Sequence, residues 1–99
     1  RIFNLFFNKL KMKSLIRVKC NCFPSTEKIR INEKHVDYTF KHNGAVFSLN
    51  TCDGFTLLDD DTKIDSVENR LLLFDSSKPH ASSTCTNTKA RFNINFNYF

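Results

Sequence analysis

Short strand-like runs recur along this chain, and the segments between them are too short to hold a helix; that spacing limits the fold more than any other feature. Residues 15–23 (LIRVKCNCF) alternate, with Ile16, Val18, Cys20 and Cys22 on one face and Arg17, Lys19 and Asn21 on the other, and Pro24-Ser25-Thr26 ends the run. Further strands are expected at about 30–37, at 45–52 after the His42-Asn43-Gly44 turn, and at 55–58 after the Asp53-Gly54 turn dipeptide. Others fall at 62–67, 70–74, 80–85 and 90–98. Roughly eight such strands predict a mainly β fold, an antiparallel sandwich or barrel. Turns this short exclude the crossovers of a parallel α/β sheet.

The bulk properties agree with one small domain. A chain of 99 residues has room for a single core, and 40% hydrophobic residues, including 11 Phe, argue against disorder. The formal charge is +5, with Lys9, Lys11, Lys13, Arg17 and Lys19 near the start. This cluster reads first as a solvated basic face, with nucleic acid or anionic lipid as the alternative partner. Asp59-Asp60-Asp61 reads as a turn. Cys20 and Cys22 stand too close for the usual zinc pair, while Cys52 and Cys85 stand alone. All four are expected as reduced thiols, mostly buried, in a cytoplasmic protein. No apolar run approaches the length of a membrane span.

Residues 2–11 place Phe3, Phe6, Phe7 and Leu10 at helical spacing, so a short amphipathic helix is expected there, within residues 1–12. The chain opens without Met, in RIFNLFFNKL, and is read as an N-terminally truncated fragment that lacks upstream helices.

The chemistry-bearing residues are few. His35 and Asp37 lie two apart, and in a strand such residues share a face, so both can grip one ion. His80, opening another strand, supplies a third ligand; two imidazoles and a carboxylate on one octahedral face suit non-haem Fe(II). His42, beside a turn glycine, reads as solvated. On the last strand Arg91, Asn93, Asn95 and Asn97 share a polar face, with Phe92, Ile94, Phe96 and Tyr98 opposite.

The order His35-x-Asp37, Asn50, Asp53-Gly54, Asn69-Arg70-Leu71, His80, Arg91 resembles the 2-oxoglutarate/Fe(II)-dependent oxygenases, close in style to their prolyl-hydroxylase-like members. The resemblance covers about residues 15–99. It implies a double-stranded β-helix (jelly-roll, cupin-like) core, with His35, Asp37 and His80 as metal ligands and catalytic residues. Arg91, eleven residues after His80, would bind the distal carboxylate of 2-oxoglutarate through its planar fork. Asn93 stands where many relatives carry Ser or Thr, and its amide can still donate to a carboxylate. In that topology the first and last strands are neighbours, so Arg17, Lys19 and Asn21 would line the same cavity, with Asn21 touching 2-oxoglutarate and the basic pair steering anions. Ser82 and Thr84 are lesser candidates on the His80 face.

The reaction implied uses Fe(II), 2-oxoglutarate and O2 to hydroxylate a substrate, peptidyl proline by similarity, with release of succinate and CO2. Two other readings stand beside it. One is a non-catalytic β-barrel binding module with a vestigial metal site, against which stands the intact order of four residue types. The other is a basic nucleic-acid-binding fragment, which lacks spaced aromatic residues on a basic strand face. Ile16, Val18, Phe92, Ile94 and Phe96 need cover from outside the barrel, and an exposed apolar patch is expected.

Overall fold

The computed structural model describes residues 9–99. The N-terminal helix expected within residues 1–12 falls chiefly on residues outside that range. Seven strands follow: β1 (Leu15–Pro24), β2 (Asn43–Ser48), β3 (Phe55–Leu57), β4 (Lys63–Asp65), β5 (Leu71–Asp75), β6 (Ala81–Ser82) and β7 (Ala90–Tyr98). They form two antiparallel sheets, ordered β1-β7-β2-β5 and β4-β3-β6.

The run expected at 30–37 is not a continuous strand. It touches the small sheet at two bridges, Ile31 opposite Ser83 and His35 opposite His80, whose spacing differs by one residue between the two chains. That slip interrupts the ladder as a bulge does. Counting this segment as the second of eight strands, the order is 1-8-3-6 facing 5-4-7-2, which is that of a double-stranded β-helix. The expected mainly β jelly-roll is the observed fold.

The strand at 45–52 begins earlier and stops at Ser48, and the one at 80–85 shrinks to Ala81–Ser82. Asp53-Gly54 makes no hairpin. It carries the chain from β2 in one sheet to β3 in the other: β2 pairs with β7 and β5, whereas β3 pairs with β4 and β6. Local turn chemistry marked the corner and not the pairing.

Alternation on β7 sorts two interiors. Phe96 and Tyr98 point outward and pack with Ala45 and Met12, with Leu10, Leu15, Phe47, Leu71 and Ile94 around them. Phe96 is therefore buried under the chain preceding β1, which supplies part of the cover that this face was expected to need, and burying such a ring contributes about 1.5–3 kcal/mol. Val18 and Phe92, further along the same face, are exposed as anticipated. The opposite face, between the sheets, is polar: Arg91, Asn93 and Asn97 are all buried there. The hydrophobic cluster around Phe96 thus lies on the outer face of the large sheet, with polar side chains of β7 on the inner one.

Asn50 holds β7 in register at one end. Its Oδ1 accepts from the Phe92 N–H at 2.9 Å and its Nδ2 donates to the Ala90 carbonyl at 2.8 Å, so the backbone is clamped on both sides of Arg91. Asn69 takes φ 68°, a left-handed turn that Asn tolerates, before β5. The cysteines are free, but Cys20 and Cys22 are exposed on β1 and only Cys52 and Cys85 are buried. The outward face of an edge strand has no second layer to cover it there. Among the described residues no helix is long and apolar enough to cross a membrane.

Candidate metal centre

His35 and His80 are brought together by the backbone itself. Each N–H donates to the other's carbonyl at 2.9 Å, the hydrogen-bonded pair of an antiparallel ladder, and their rings lie 4.7 Å apart. Asp37 follows just beyond this last bridge. Its Oδ1 stands 3.3 Å from Nε2 of both histidines, and the three ligand atoms lie within 4.8 Å of one another.

The supporting contacts aim the donors. Nδ1 of His80 donates to the Lys78 carbonyl at 2.9 Å, which leaves Nε2 with its lone pair directed at the site. Phe74 packs edge-on against the His80 ring, 4.9 Å between centroids. His35 Nδ1 lies 3.4 Å from the Glu33 carbonyl, a longer contact on a ring whose side chain is 55% exposed. The site thus has one rigid wall and one open side.

This donor set fits a divalent ion. Adjacent octahedral ligands at bonds of ~2.1 Å stand about 3 Å apart, close to the two Asp37–histidine separations of 3.3 Å, while the 4.8 Å spread of the three ligand atoms requires the imidazoles to draw together on an ion. The second carboxylate oxygen, Asp37 Oδ2, is buried without a hydrogen-bond partner, which leaves a second lone-pair donor facing the interior.

Electrostatics tie the three together without an ion. Burial opposes ionisation of Asp37, but the His80 hydrogen bond and the charges of His80, His35 and Arg17 prevail and hold its pKa below the usual 3.8. Burial likewise opposes protonation of His80, yet the Asp37 hydrogen bond, the Lys78 carbonyl and the Asp37 charge raise its pKa above the usual 6.5. The sign follows for each group. His80 stabilises the metal-free fold fully below about pH 6.5 and loses that contribution as pH rises through its raised value; Asp37 contributes above about pH 3.8 and loses it as pH falls. Metal-free protein should therefore be most stable between those limits in thermal melts run from about pH 4 to pH 9. Metal affinity should run the opposite way, rising with pH as His80 is deprotonated. A metal-free Tm that kept climbing above neutrality would contradict the Asp37–His80 coupling.

A cavity of about 170 Å³ adjoins the triad, walled by Phe23, Val46, Thr56, Phe74, Ser82, Asn93 and Asn95 as well as His35, Asp37 and His80. Arg17, Lys19 and Asn21 of β1 line it too. Asn21 and Asn93 are opposite one another across the β1–β7 pair, and Nδ2 of Asn21 donates to Oδ1 of Asn93 at 3.0 Å.

Arg91 is placed differently from the rest. It is 1% exposed and sits behind Thr56, outside the cavity wall, donating from Nη2 to Thr56 Oγ1 at 3.0 Å and from Nη1 to the Ser83 carbonyl at 3.1 Å. Its Nε has no partner, its guanidinium lies 5.6 Å from the Phe23 ring centre, and among the described residues no carboxylate pairs with it. Burial alone pushes its pKa down, with the nearby Cys52 and Cys85 thiols opposing weakly. Gly54 makes room for this side chain: a Cβ there would fall 2.7 Å from Arg91 Cδ and 2.9 Å from the Thr84 carbonyl oxygen.

Other expectations resolve variously. Ser82 lines the cavity, whereas Thr84 is taken up by Thr26 and Arg30. His42 is buried, not solvated: Tyr38 and Phe40 cover it and its Nδ1 bonds the Phe40 carbonyl at 2.9 Å. Asp53 ties the loop ahead of β7 by accepting from the Thr86 N–H at 2.7 Å, a structural role. Phe74 and Thr56 escaped the sequence reading as site residues, and Gly54 was read only as a turn residue. Phe74 was legible as a strand residue of 70–74, but nothing in the sequence shows which ring or guanidinium each would meet.

The fold and this centre define a double-stranded β-helix protein with a His/Asp cluster suited to metal, and comparison agrees on the fold. The structure is similar to an RmlC-like cupin protein from Desulfovibrio desulfuricans, with a TM-score of 0.55 at 15% sequence identity over 83% of this chain and 82% of that one. No protein-family model and no curated protein matches the sequence.

Proposed function

We propose that this chain is the core of an Fe(II)- and 2-oxoglutarate-dependent dioxygenase that hydroxylates its substrate with release of succinate and CO2. The carrying observation is the convergence of His35, Asp37 and His80 from a β-bridge onto one point, with an uncompensated buried guanidinium nearby. A full charge buried against a hydroxyl, a carbonyl and the Phe23 ring, with no opposite charge, is costly, and a carboxylate in the adjoining space would relieve it.

In this reading His35, Asp37 and His80 hold iron, which with 2-oxoglutarate and O2 supplies oxidative chemistry that no side chain can. The residues do the remaining work. The Lys78 carbonyl fixes the His80 ring and its tautomer. Arg91, held from behind by Asn50, orients the distal carboxylate of 2-oxoglutarate, and Thr56 between them either shares that carboxylate or turns aside for it. Asn93 and its partner Asn21 offer amide contacts on the same wall. Val46, Phe23 and Phe74 give the cavity its dry surface.

The nucleic-acid reading loses ground because Arg17 and Lys19 of the basic cluster face this cavity. The deciding experiment is anaerobic addition of Fe(II) and 2-oxoglutarate to folded protein, followed by visible spectroscopy. A metal-to-ligand charge-transfer band in the parent, absent from His80→Ala, is expected. A soluble, folded parent without the band would leave a binding module with a vestigial centre.

A further inference from the structure

The cavity opens between two sheet edges. β1 is the outer strand of the large sheet, and the segment bearing Ile31 and His35 borders the small one. Arg17 and Lys19 stand on the β1 lip, and Asn32 and His35 on the other; all four are exposed, while Val46, Thr56, His80 and Asn93 form the buried floor.

Charge is unbalanced at this mouth. The one acidic side chain on the wall is Asp37, already shared between two histidines. Neither Arg17 nor Lys19 forms an ion pair with an acidic side chain among the described residues; Arg17 acts on Asp37 through its charge alone, and its guanidinium lies 5.6 Å from the Tyr38 ring centre. In the loaded site proposed above, a divalent ion and dianionic 2-oxoglutarate cancel, and so do Arg91 and Asp37. The two positive charges on the β1 lip remain. Low-dielectric walls focus such a field outward.

Volume points the same way. A space of about 170 Å³ compares with the ~150 Å³ that admits one benzene, so the floor is filled by the cosubstrate and the molecule to be oxidised must sit at the mouth. We propose that the primary substrate is a small molecule carrying a dianionic group, a phosphate monoester or a dicarboxylate, gripped by Arg17 and Lys19. The assignment of this anion as substrate rests on the dioxygenase reading; the anion site itself does not.

The test is a titration of the full chain, followed by the side-chain NMR signals of Arg17 and Asn21, with inorganic phosphate and separately with malonate at constant ionic strength. Saturable shifts are expected, with affinity at least tenfold weaker in the doubly substituted Arg17→Gln, Lys19→Gln protein and unchanged in Lys34→Gln, whose lysine pairs with Asp61 and does not line the cavity. Phosphate ahead of malonate selects the monoester, and the reverse selects the dicarboxylate. Linear shifts, or equal affinity in the double variant, overturn the site. The Fe(II)/2-oxoglutarate band separates the two readings. A band kept in the double variant supports a substrate anchor, and one lost there shows that the pair serves the cosubstrate and overturns the assignment. A parent without the band that still binds phosphate fails the dioxygenase reading and leaves an anion site.

Discussion

Asp37→Ala should abolish specific binding of divalent metal, lowering affinity by more than the 10–100-fold that loss of a mere supporting contact brings. Asp37 is the only carboxylate of the triad, and its Oδ1 is equidistant from both imidazoles, so no neighbouring group can replace it. Thermal melts make the readout simple. Metal at a hundred times its Kd should stabilise the parent by about 2.7 kcal/mol, and a chain of this size gains roughly 4–8 °C per kcal/mol. The variant should gain nothing. Its metal-free form should also lose the pH dependence that Asp37 and His80 share, since the raised pKa of His80 depends on that carboxylate. A variant that still shifted its Tm with metal by the parental amount would show that the ion binds elsewhere.

The second large effect separates fold from function at Arg91. Arg91→Ala removes a side chain that is 1% exposed and leaves Thr56 and the Ser83 carbonyl without their donor. A void of that size together with unpaired polar atoms costs about 3 kcal/mol or more, a fall in Tm of roughly 15 °C. Arg91→Met keeps most of the volume and removes a buried charge that has no opposite partner, so its stability should stay within about 1 kcal/mol of the parent or exceed it. Both variants should lose the 2-oxoglutarate band at cosubstrate concentrations that saturate the parent. If Arg91→Met kept the band unchanged, the guanidinium would be a structural post only, and the cosubstrate carboxylate would have to be held from β1.

Much of the fold was written locally. The alternation of residues 15–23 and 90–98 named β1 and β7 almost to the residue, because period two in a half-buried strand leaves one polar face and one apolar face whatever the partner. The polarity of the Arg91, Asn93, Asn95, Asn97 face was equally plain. Less legible were the short contacts of the small sheet. Strands were expected at about 30–37 and 80–85, but local pattern does not show that they shrink to a bridged segment at 31–35 and a two-residue β6, which exist because neighbouring strands hold them. That Phe96 needs cover was legible in the alternation, but not which residues give it: Met12 and Leu10 reach it only once the chain before β1 has folded back over the sheet.

By itself the sequence determined a mainly β chain of about eight short strands, a His-x-Asp pair, a later histidine, and an arginine on a polar strand face. These follow from spacing and alternation, which act over a few residues. Tertiary structure alone decided that His35 and His80 share two backbone hydrogen bonds and that Asp37 stands 3.3 Å from both. It also buried His42, set Arg91 behind Thr56 with no carboxylate, and turned Arg17 and Lys19 to the mouth of the cavity. Each of these depends on strands distant in sequence meeting in one register, and pairing across two sheets is a property of the whole chain.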